Sequence, residues 1–282
     1  MGRAQALRVG VALRAYLISD GSRPGSWALA RDLSEVFDTK LISPVFVSDR
    51  QVEDEGLIDA RAFRAYHLRQ PTLGEIGCAL AHRQAQQHFV DSSLTTAAVF
   101  EDDARIGDTS ILLSRTGIYE KLCSSEIPTL VNLNRDAIPT RLEQASSDNM
   151  NVSRALTPPY PATAYVLNRS AADAFISSQT PVRSQADWPR TQTAISYFVD
   201  RNSSVFEDRD ITSSIDDQEI REQIPNHRKL RMWTGLWYWQ FHKFFPSFHH
   251  YWNWHPRARI LHHADAAVLK FGRSQVSKQE RV

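Results

Sequence analysis

The stretch Ala97–Ala104 (AAVFEDDA) constrains the fold most, because a short apolar run ends there in three consecutive carboxylates. Such a run is typical of a buried strand that carries acidic residues to its C-terminal tip, where open α/β sheets bind ligands. Side chains alternate along an extended strand, so Glu101 and Asp103 should share one side and Asp102 should face the other. Two carboxylates on one side can hold Mg²⁺ or Mn²⁺. A solvated acidic turn or a helix start remains the alternative interpretation.

Strand and helix patterns alternate on both sides of this stretch. A strand at 14–19 ends in a turn-forming segment, after which Ser26 is a candidate helix cap. Further strands are predicted at 41–47, 129–133 and 164–167, and helices at 77–90, 110–122, 170–176 and 191–199. This order predicts an α/β fold with a mostly parallel sheet flanked by helices.

Composition indicates a globular protein, since 42% of the 282 residues are hydrophobic and 23% are charged. Its two cysteines, Cys78 and Cys123, form neither a disulfide framework nor a cysteine-rich metal cluster, which favours free thiols in a reducing compartment. Residues 1–14 contain three arginines and resemble a signal peptide poorly. No apolar run reaches the roughly 18 residues that a spanning helix needs. We therefore expect a cytoplasmic protein.

The last part of the chain differs from the rest in charge and in aromatic content. Residues 225–282 contain ten Lys and Arg against two Asp and Glu, a balance of +8, and five of the seven tryptophans. This composition is typical of an amphipathic segment on an anionic membrane surface, although aromatic packing in a core explains it equally well. Nucleic acid is disfavoured, because the basic residues do not alternate with stacking positions. We predict a catalytic domain at 1–224 and an extension at 225–282.

Four segments of the chain, taken in order, carry a family resemblance. They are Ile18–Trp27 (ISDGSRPGSW), Gly74–His82 (GEIGCALAH), Val99–Ala104 (VFEDDA) and Ala162–Ala172 (ATAYVLNRSAA). They resemble the I-S-L-x-R-R-P-x-R-W, G-E-x-G-C-x-x-S-H, V-F-E-D-D and G-T-x-x-Y-V-I-S-x-x-A-A motifs of glycosyltransferase family 25, the lipooligosaccharide and collagen galactosyltransferase-like family. Departures from the family pattern occur at Asp20, Ser22, Ser26, Ala81 and Ala162.

The resemblance implies a glycosyltransferase A-type (Rossmann-like) fold and transfer of a sugar, expected to be galactose, from a UDP-sugar with inversion. A Mn²⁺ or Mg²⁺ ion held by Glu101 and Asp103 would neutralise the leaving diphosphate. The other residues predicted at the donor site are Ser19, Asp20, Arg23, Glu75, His82 and Asp102. For Arg23 an exposed turn residue, and for His82 a buried core histidine, are the alternatives.

Inversion in a single displacement requires a general base that removes the proton of the acceptor hydroxyl. We assign this role to Asp187, which stands where the family carries a P-V-D element, with a helix cap as the alternative. The neighbouring Trp188 can stack on a sugar ring, and Thr163 and Tyr165 are predicted to line the acceptor side.

The predicted function is therefore sugar transfer to a saccharide or lipid-linked saccharide of lipopolysaccharide or another surface glycan. The enzyme would be cytoplasmic, with peripheral contact to an anionic membrane and no nucleic-acid partner. Two alternatives stay open. One is a degenerate family member that binds nucleotide or saccharide without transfer, and the other is a metal-dependent phosphohydrolase that uses the same acids to activate water.

Overall fold

The computed structural model describes residues 13–67, 69–137, 142–143, 152–156, 158–187, 189 and 191–208. Within these ranges the chain forms ten strands and six helices. In chain order they are β1 (Arg14–Ile18), α1 (Pro24–Val36), β2 (Asp38–Ile42), α2 (Asp49–Asp54), α3 (Ala60–His67), α4 (Leu73–Val90), β3 (Thr96–Glu101), β4 (Ala104–Ile106), α5 (Thr109–Cys123), β5 (Thr129–Asn132), β6 (Leu142–Glu143), β7 (Val152–Ala155), β8 (Ala164–Asn168), α6 (Arg169–Ser178), β9 (Ser196–Asp200) and β10 (Val205–Glu207).

The main sheet of the described residues has eight strands in the order β2-β1-β3-β8-β5-β9-β7-β6. Pairing of β1 with β2 and β3, and of β5 with β9, is parallel. Strands β8 and β7 run against their neighbours, so the other six strands point the same way. The predicted α/β fold with a mostly parallel sheet is confirmed.

Helices cover the two faces of this sheet. Leu17 of β1 and Phe100 of β3 are fully buried and pack in one core with Leu33 of α1 and Leu112 of α5. The alternate residues of the same strands point to the opposite face, where α4 contacts β1 and β3, and α6 packs against α4 and contacts β8 and β5. Strand β3, at the centre of this arrangement, carries the acidic tip.

Two secondary-structure predictions are wrong. Strand β2 covers Asp38–Ile42 and not 41–47, because most of its residues are exposed at a sheet edge and lack an apolar pattern. The helix expected at 191–199 is replaced by strand β9 at Ser196–Asp200. Its buried residues Tyr197 and Val199 lie two apart, which is the period of a strand.

Helix α4 begins at Leu73, earlier than the helix predicted from Gly77. Thr72 and Glu75 form a reciprocal capping box, in which each side chain accepts a hydrogen bond from the backbone N–H of the other. Gly77, the predicted first residue of this helix, therefore lies inside it, where packing requires a glycine. A Cβ atom at Gly77 would overlap the backbone carbonyl oxygen of Val45.

Gly77→Ala should therefore destabilise the fold, because the loop that carries Val45 would have to move. We expect a loss of about 2 kcal/mol in the free energy of unfolding, in line with overpacked interiors. Gly117→Ala in α5 is the matched control, since an added Cβ there meets no atom within 4 Å. The control should gain up to about 1 kcal/mol from helix propensity. Urea denaturation measures both, and equal midpoints for the two variants would contradict the packing argument.

No helix in the described ranges has both the length and the apolar character needed to cross a bilayer. The extension predicted at 225–282, and the domain boundary at 224, lie outside the described residues. Both remain predictions.

Candidate active site

The three consecutive acids occupy the tip of β3 and a turn that follows it. Glu101 is the last residue of β3, whereas Asp102 and Asp103 form the turn into β4. A turn therefore replaces the strict alternation expected of an extended strand. Asp102 accepts a hydrogen bond from the guanidinium of Arg23 at 3.1 Å, and Asp103 has different neighbours.

A third acid joins Glu101 and Asp103 from a distant part of the chain. Strand β10 pairs antiparallel with β4 and places Glu207 opposite Ala104. The backbone N–H of the next residue, Asp208, donates to the carbonyl oxygen of Asp103 at 2.8 Å. Sequence reasoning missed Glu207, although Val205–Glu207 repeats the Val-Phe-Glu pattern of Val99–Glu101.

Negative charge is crowded within this cluster. Within the described part of the chain, Oδ1 of Asp103 is enclosed and has no hydrogen-bond partner. Burial, and then the charges of Glu101 and Glu207, raise the pKa of Asp103 to about 8. These carboxylates are thus close enough to repel one another, and a positive ion between them would relieve that repulsion.

Glu101 is held from behind by a buried chain of polar groups. Nε2 of His82 lies 2.7 Å from Oε1 of Glu101, and Nδ1 of His82 lies 3.0 Å from the Tyr165 hydroxyl. The amide of Gln86 donates to the same hydroxyl at 3.1 Å. All groups are satisfied if Tyr165 donates to Nδ1 and the Nε2–H of His82 donates to Glu101.

Two residues that were predicted to line the acceptor side are buried in the interior of the fold instead. Tyr165 is fully buried and contacts His82 and Gln86, so it supports Glu101 from inside the fold. Thr163 is also buried, and its carbonyl oxygen accepts the backbone N–H of Glu101 at 2.8 Å. Trp188 lies outside the described residues.

Glu75 anchors the start of α4 instead of facing a ligand. Both of its carboxylate oxygens pair with Arg69, Thr72 N–H donates to it at 2.9 Å, and the amide of Gln185 donates as well. Burial disfavours its charge, but these donors outweigh burial and lower the pKa of Glu75 to about 2. The bond to Gln185 ties α4 to the segment that leads to Asp187, so Glu75 positions this segment.

Glu75→Gln should remove a stabilisation of about 3 kcal/mol at neutral pH, from a pKa difference of about two to three units. Because the folded-state pKa is lowered, this stabilisation is present above about 4.5 and is lost as the pH falls toward about 2. Thermal unfolding between pH 2 and 7 measures it. The variant should lack this part of the pH dependence, whereas the exposed control Glu126→Gln should retain it; parallel curves for all three proteins would contradict the argument.

Asp187 lies at the edge of the acidic cluster. Its Oδ1 accepts the backbone N–H of Ala162 at 2.8 Å, and the described residues that follow it, 189 and 191–195, are not helical. It therefore does not cap a helix at this point. Burial, and then the charge of Glu101, raise the pKa of Asp187 to about 6. Asp187 therefore lies within electrostatic reach of Glu101, and its role as the general base stays a prediction.

The loop after β1 is ordered by its own hydrogen bonds. Ser19 Oγ accepts from the N–H of Gly21 at 3.0 Å, and Asp20 Oδ1 accepts from the N–H and hydroxyl of Ser22 at 2.8 and 2.6 Å. Gly21 has a φ of +71°, which favours glycine. Of the predicted donor-site residues on this loop, Arg23 is the one that reaches the acids, through Asp102.

Cys78 is a further neighbour of the cluster that sequence reasoning did not place there. Its sulfur, a ring nitrogen of His82 and a carboxylate oxygen of Glu101 all lie within 4.8 Å of one another. Burial, and then the charges of Glu101 and Asp187, raise the pKa of the Cys78 thiol. Cys78 and Cys123 are both free thiols, as predicted.

The acidic tip lies at the C-terminal end of strand β3, which is the edge where open α/β sheets generally bind ligands. The family comparison gives the reaction class. The model described as glycosyltransferase family 25 (LPS biosynthesis protein) matches residues 49–188, about half of the chain. These residues belong to that family, and the resemblance seen in the motifs is confirmed.

Comparisons with curated proteins and with solved structures do not indicate a function. No curated protein matches the chain. Among solved structures, mannose-1-phosphate geranyltransferase from Thermus thermophilus is 10% identical, with a TM-score of 0.33 over 67% of this chain and 74% of that one. This likeness is too slight to indicate a function.

Proposed function

We propose that this protein is a divalent-cation-dependent, inverting glycosyltransferase with a glycosyltransferase A-type fold. It would move galactose from UDP-galactose to a saccharide of lipopolysaccharide or another surface glycan. The observation that carries the proposal is the buried, unpartnered oxygen of Asp103 among mutually repelling acids, at the sheet edge of a family 25 region.

The donor atoms suit Mg²⁺ or Mn²⁺. Glu101, Asp103 and Glu207 offer carboxylate oxygens, which are the ligands that these hard cations prefer. Burial, and then repulsion by Glu101 and Glu207, raise the pKa of Asp103 to about 8, and a bound cation would offset both effects. Bound there, the ion would supply the positive charge that stabilises a leaving diphosphate.

The chain's own residues would then divide the remaining work. Arg23 lies beside the acids with a half-buried guanidinium held by Asp102, and such a group binds phosphate oxygens well. Asp187 keeps Oδ1 on Ala162 and would accept the acceptor proton at Oδ2. His82 would fix the orientation of Glu101.

The cellular setting that we propose is the cytoplasmic face of a membrane, with a lipid-linked saccharide as acceptor. Its support is compositional, namely the +8 charge and five tryptophans of residues 225–282. Flotation of the full chain with anionic but not with zwitterionic liposomes would test this point.

A panel of nucleotide sugars, each with Mn²⁺, Mg²⁺ or a chelator, tests the catalytic proposal. We expect UDP-galactose to raise the melting temperature most, with a larger rise when Mn²⁺ is present, and labelled galactose to appear on a saccharide acceptor. Cation-dependent binding without product would favour a degenerate family member. Hydrolysis of simple phosphate esters without nucleotide-sugar preference would favour the phosphohydrolase.

A further inference from the structure

A second set of metal-ligating atoms lies next to the acidic cluster and differs from it in chemistry. Cys78 and His82 are four residues apart on α4 and therefore share one face of the helix. Glu101 reaches them from the tip of β3, and the sulfur, nitrogen and oxygen atoms lie within 4.8 Å of one another. A thiol, an imidazole and a carboxylate together are typical ligands of Zn²⁺, whereas Mg²⁺ and Mn²⁺ prefer oxygen.

The outer contacts of these residues also suit a transition metal. Histidines that bind metals usually place their other ring nitrogen against a fixed polar partner. In this protein that partner is the Tyr165 hydroxyl, 3.0 Å from Nδ1 of His82 and itself held by Gln86. All three ligands stand on a helix or a strand, which fixes their positions better than a loop would.

The charges of the three ligands also favour a divalent transition-metal ion. A divalent ion bound by one thiolate and one carboxylate gives a neutral centre, which is tolerated in a partly buried position such as this one. Binding would release the thiol proton to solvent. It would also move the His82 hydrogen from Nε2 to Nδ1, where the Tyr165 oxygen can accept it once the hydroxyl hydrogen of Tyr165 has rotated away.

We propose that Cys78, His82 and Glu101 bind Zn²⁺ or a similar transition-metal ion, and that this ion inhibits the enzyme. The inhibition rests on the proposed function, because Glu101 also belongs to the carboxylate set that would hold Mg²⁺ or Mn²⁺. An ion that draws Glu101 toward Cys78 and His82 removes one oxygen from the site of the leaving diphosphate. The metal site itself does not depend on that function.

Cobalt is the direct probe of the site, because a Co²⁺–thiolate bond gives a charge-transfer absorption that oxygen ligands do not give. The full chain, stripped of metal, is titrated with Co²⁺ and then with Zn²⁺. We expect one equivalent of Co²⁺ to produce the thiolate band and one equivalent of Zn²⁺ to remove it. Cys78→Ala should lose the band, and the matched control Cys123→Ala should keep it, since Cys123 lies buried in the core beneath α1 and α5.

Tyr165→Phe tests the outer contact, with circular dichroism as the check on folding. It should retain the thiolate band but bind Zn²⁺ at least about tenfold more weakly in a competition with a chromophoric chelator, as is usual when an outer partner is lost. Wild-type protein without a thiolate band, or a band that survives in Cys78→Ala, would overturn the metal site. The wild-type result decides the matter even if a variant fails to fold.

The proposed inhibition by Zn²⁺ is tested separately, in an assay of sugar transfer. With Mn²⁺ fixed in excess, Zn²⁺ should stop most of the transfer by the wild-type protein at concentrations that leave Cys78→Ala at its own zinc-free rate. A thiolate band together with transfer that Zn²⁺ leaves unchanged would overturn the inhibition. If the band is present but no nucleotide sugar is used, the proposed function fails and the metal site stands.

Discussion

Asp103→Asn and Glu101→Gln should each reduce kcat/KM for sugar transfer by about 10²- to 10³-fold, the usual effect of losing one group that stabilises developing charge. Each substitution removes one charged oxygen ligand while keeping the shape of the side chain. Both variants should also lose the cation-dependent part of UDP binding. Calorimetric titration of UDP with and without Mn²⁺ measures this part separately from turnover.

Asp103→Asn has a second expected effect, which separates loss of function from loss of fold. In the wild type, burial and then Glu101 and Glu207 raise the pKa of Asp103 to about 8. An unfolded chain ionises this group above about 4, so the free energy of unfolding should fall as the pH rises from about 4 to about 8. The neutral amide removes this dependence, and the inactive variant should be the more stable protein at pH 8.

Asp108→Asn is the matched control for both substitutions. Asp108 caps α5 by accepting the N–H groups of Ser110 and Ile111, and asparagine caps a helix about as well as aspartate. This variant should keep wild-type activity and cation dependence. If it loses as much activity as Asp103→Asn, the effect is not specific to the acidic cluster; unchanged turnover in Asp103→Asn would reject the cation site.

Local pattern predicted the parts of the fold that depend on short stretches of chain. Strand β3 and its acidic tip follow from an apolar run that ends in charge, and helix α5 (Thr109–Cys123) lies within one residue of the predicted range 110–122 at each end. The direction in which a strand runs within the sheet could not be predicted in the same way. Strand β8 lies buried between β3 and β5 and runs antiparallel to both, yet its apolar sequence would suit a parallel neighbour equally well.

Tertiary pairing explains most of what the sequence did not show about the site. Glu207 enters the acidic cluster only because β10 pairs with β4, and nothing close to either segment in the sequence indicates this pairing. Similarly, Glu75, Tyr165 and Thr163 belong to motifs that resemble family 25, but a motif does not show whether a residue contacts the ligand or holds one that does. Their partners, Arg69, His82 and the backbone of Glu101, became visible only in the structure.

Asp187→Asn should lower kcat by about 10²- to 10⁴-fold, the range expected when a general base is lost. Asparagine can still accept the N–H of Ala162 through its side-chain oxygen, so the fold around this position should be retained. Asp187 is not among the carboxylates proposed to hold the cation. Cation-dependent UDP binding should therefore stay close to that of the wild type, in contrast to Asp103→Asn.

The pH dependence of kcat/KM provides a second test of Asp187 as the general base. Burial, and then the charge of Glu101, raise the pKa of Asp187 to about 6, and the carboxyl must be ionised to accept a proton. The kcat/KM of the wild type should therefore fall tenfold per pH unit on the acidic side, with a break at about 6 or below, since a bound cation would lower this pKa. Asp187→Asn should lack this limb, and the exposed control Asp173→Asn should retain it. A variant at Asp187 that keeps both the limb and a kcat within severalfold of wild type would show that another group takes the proton.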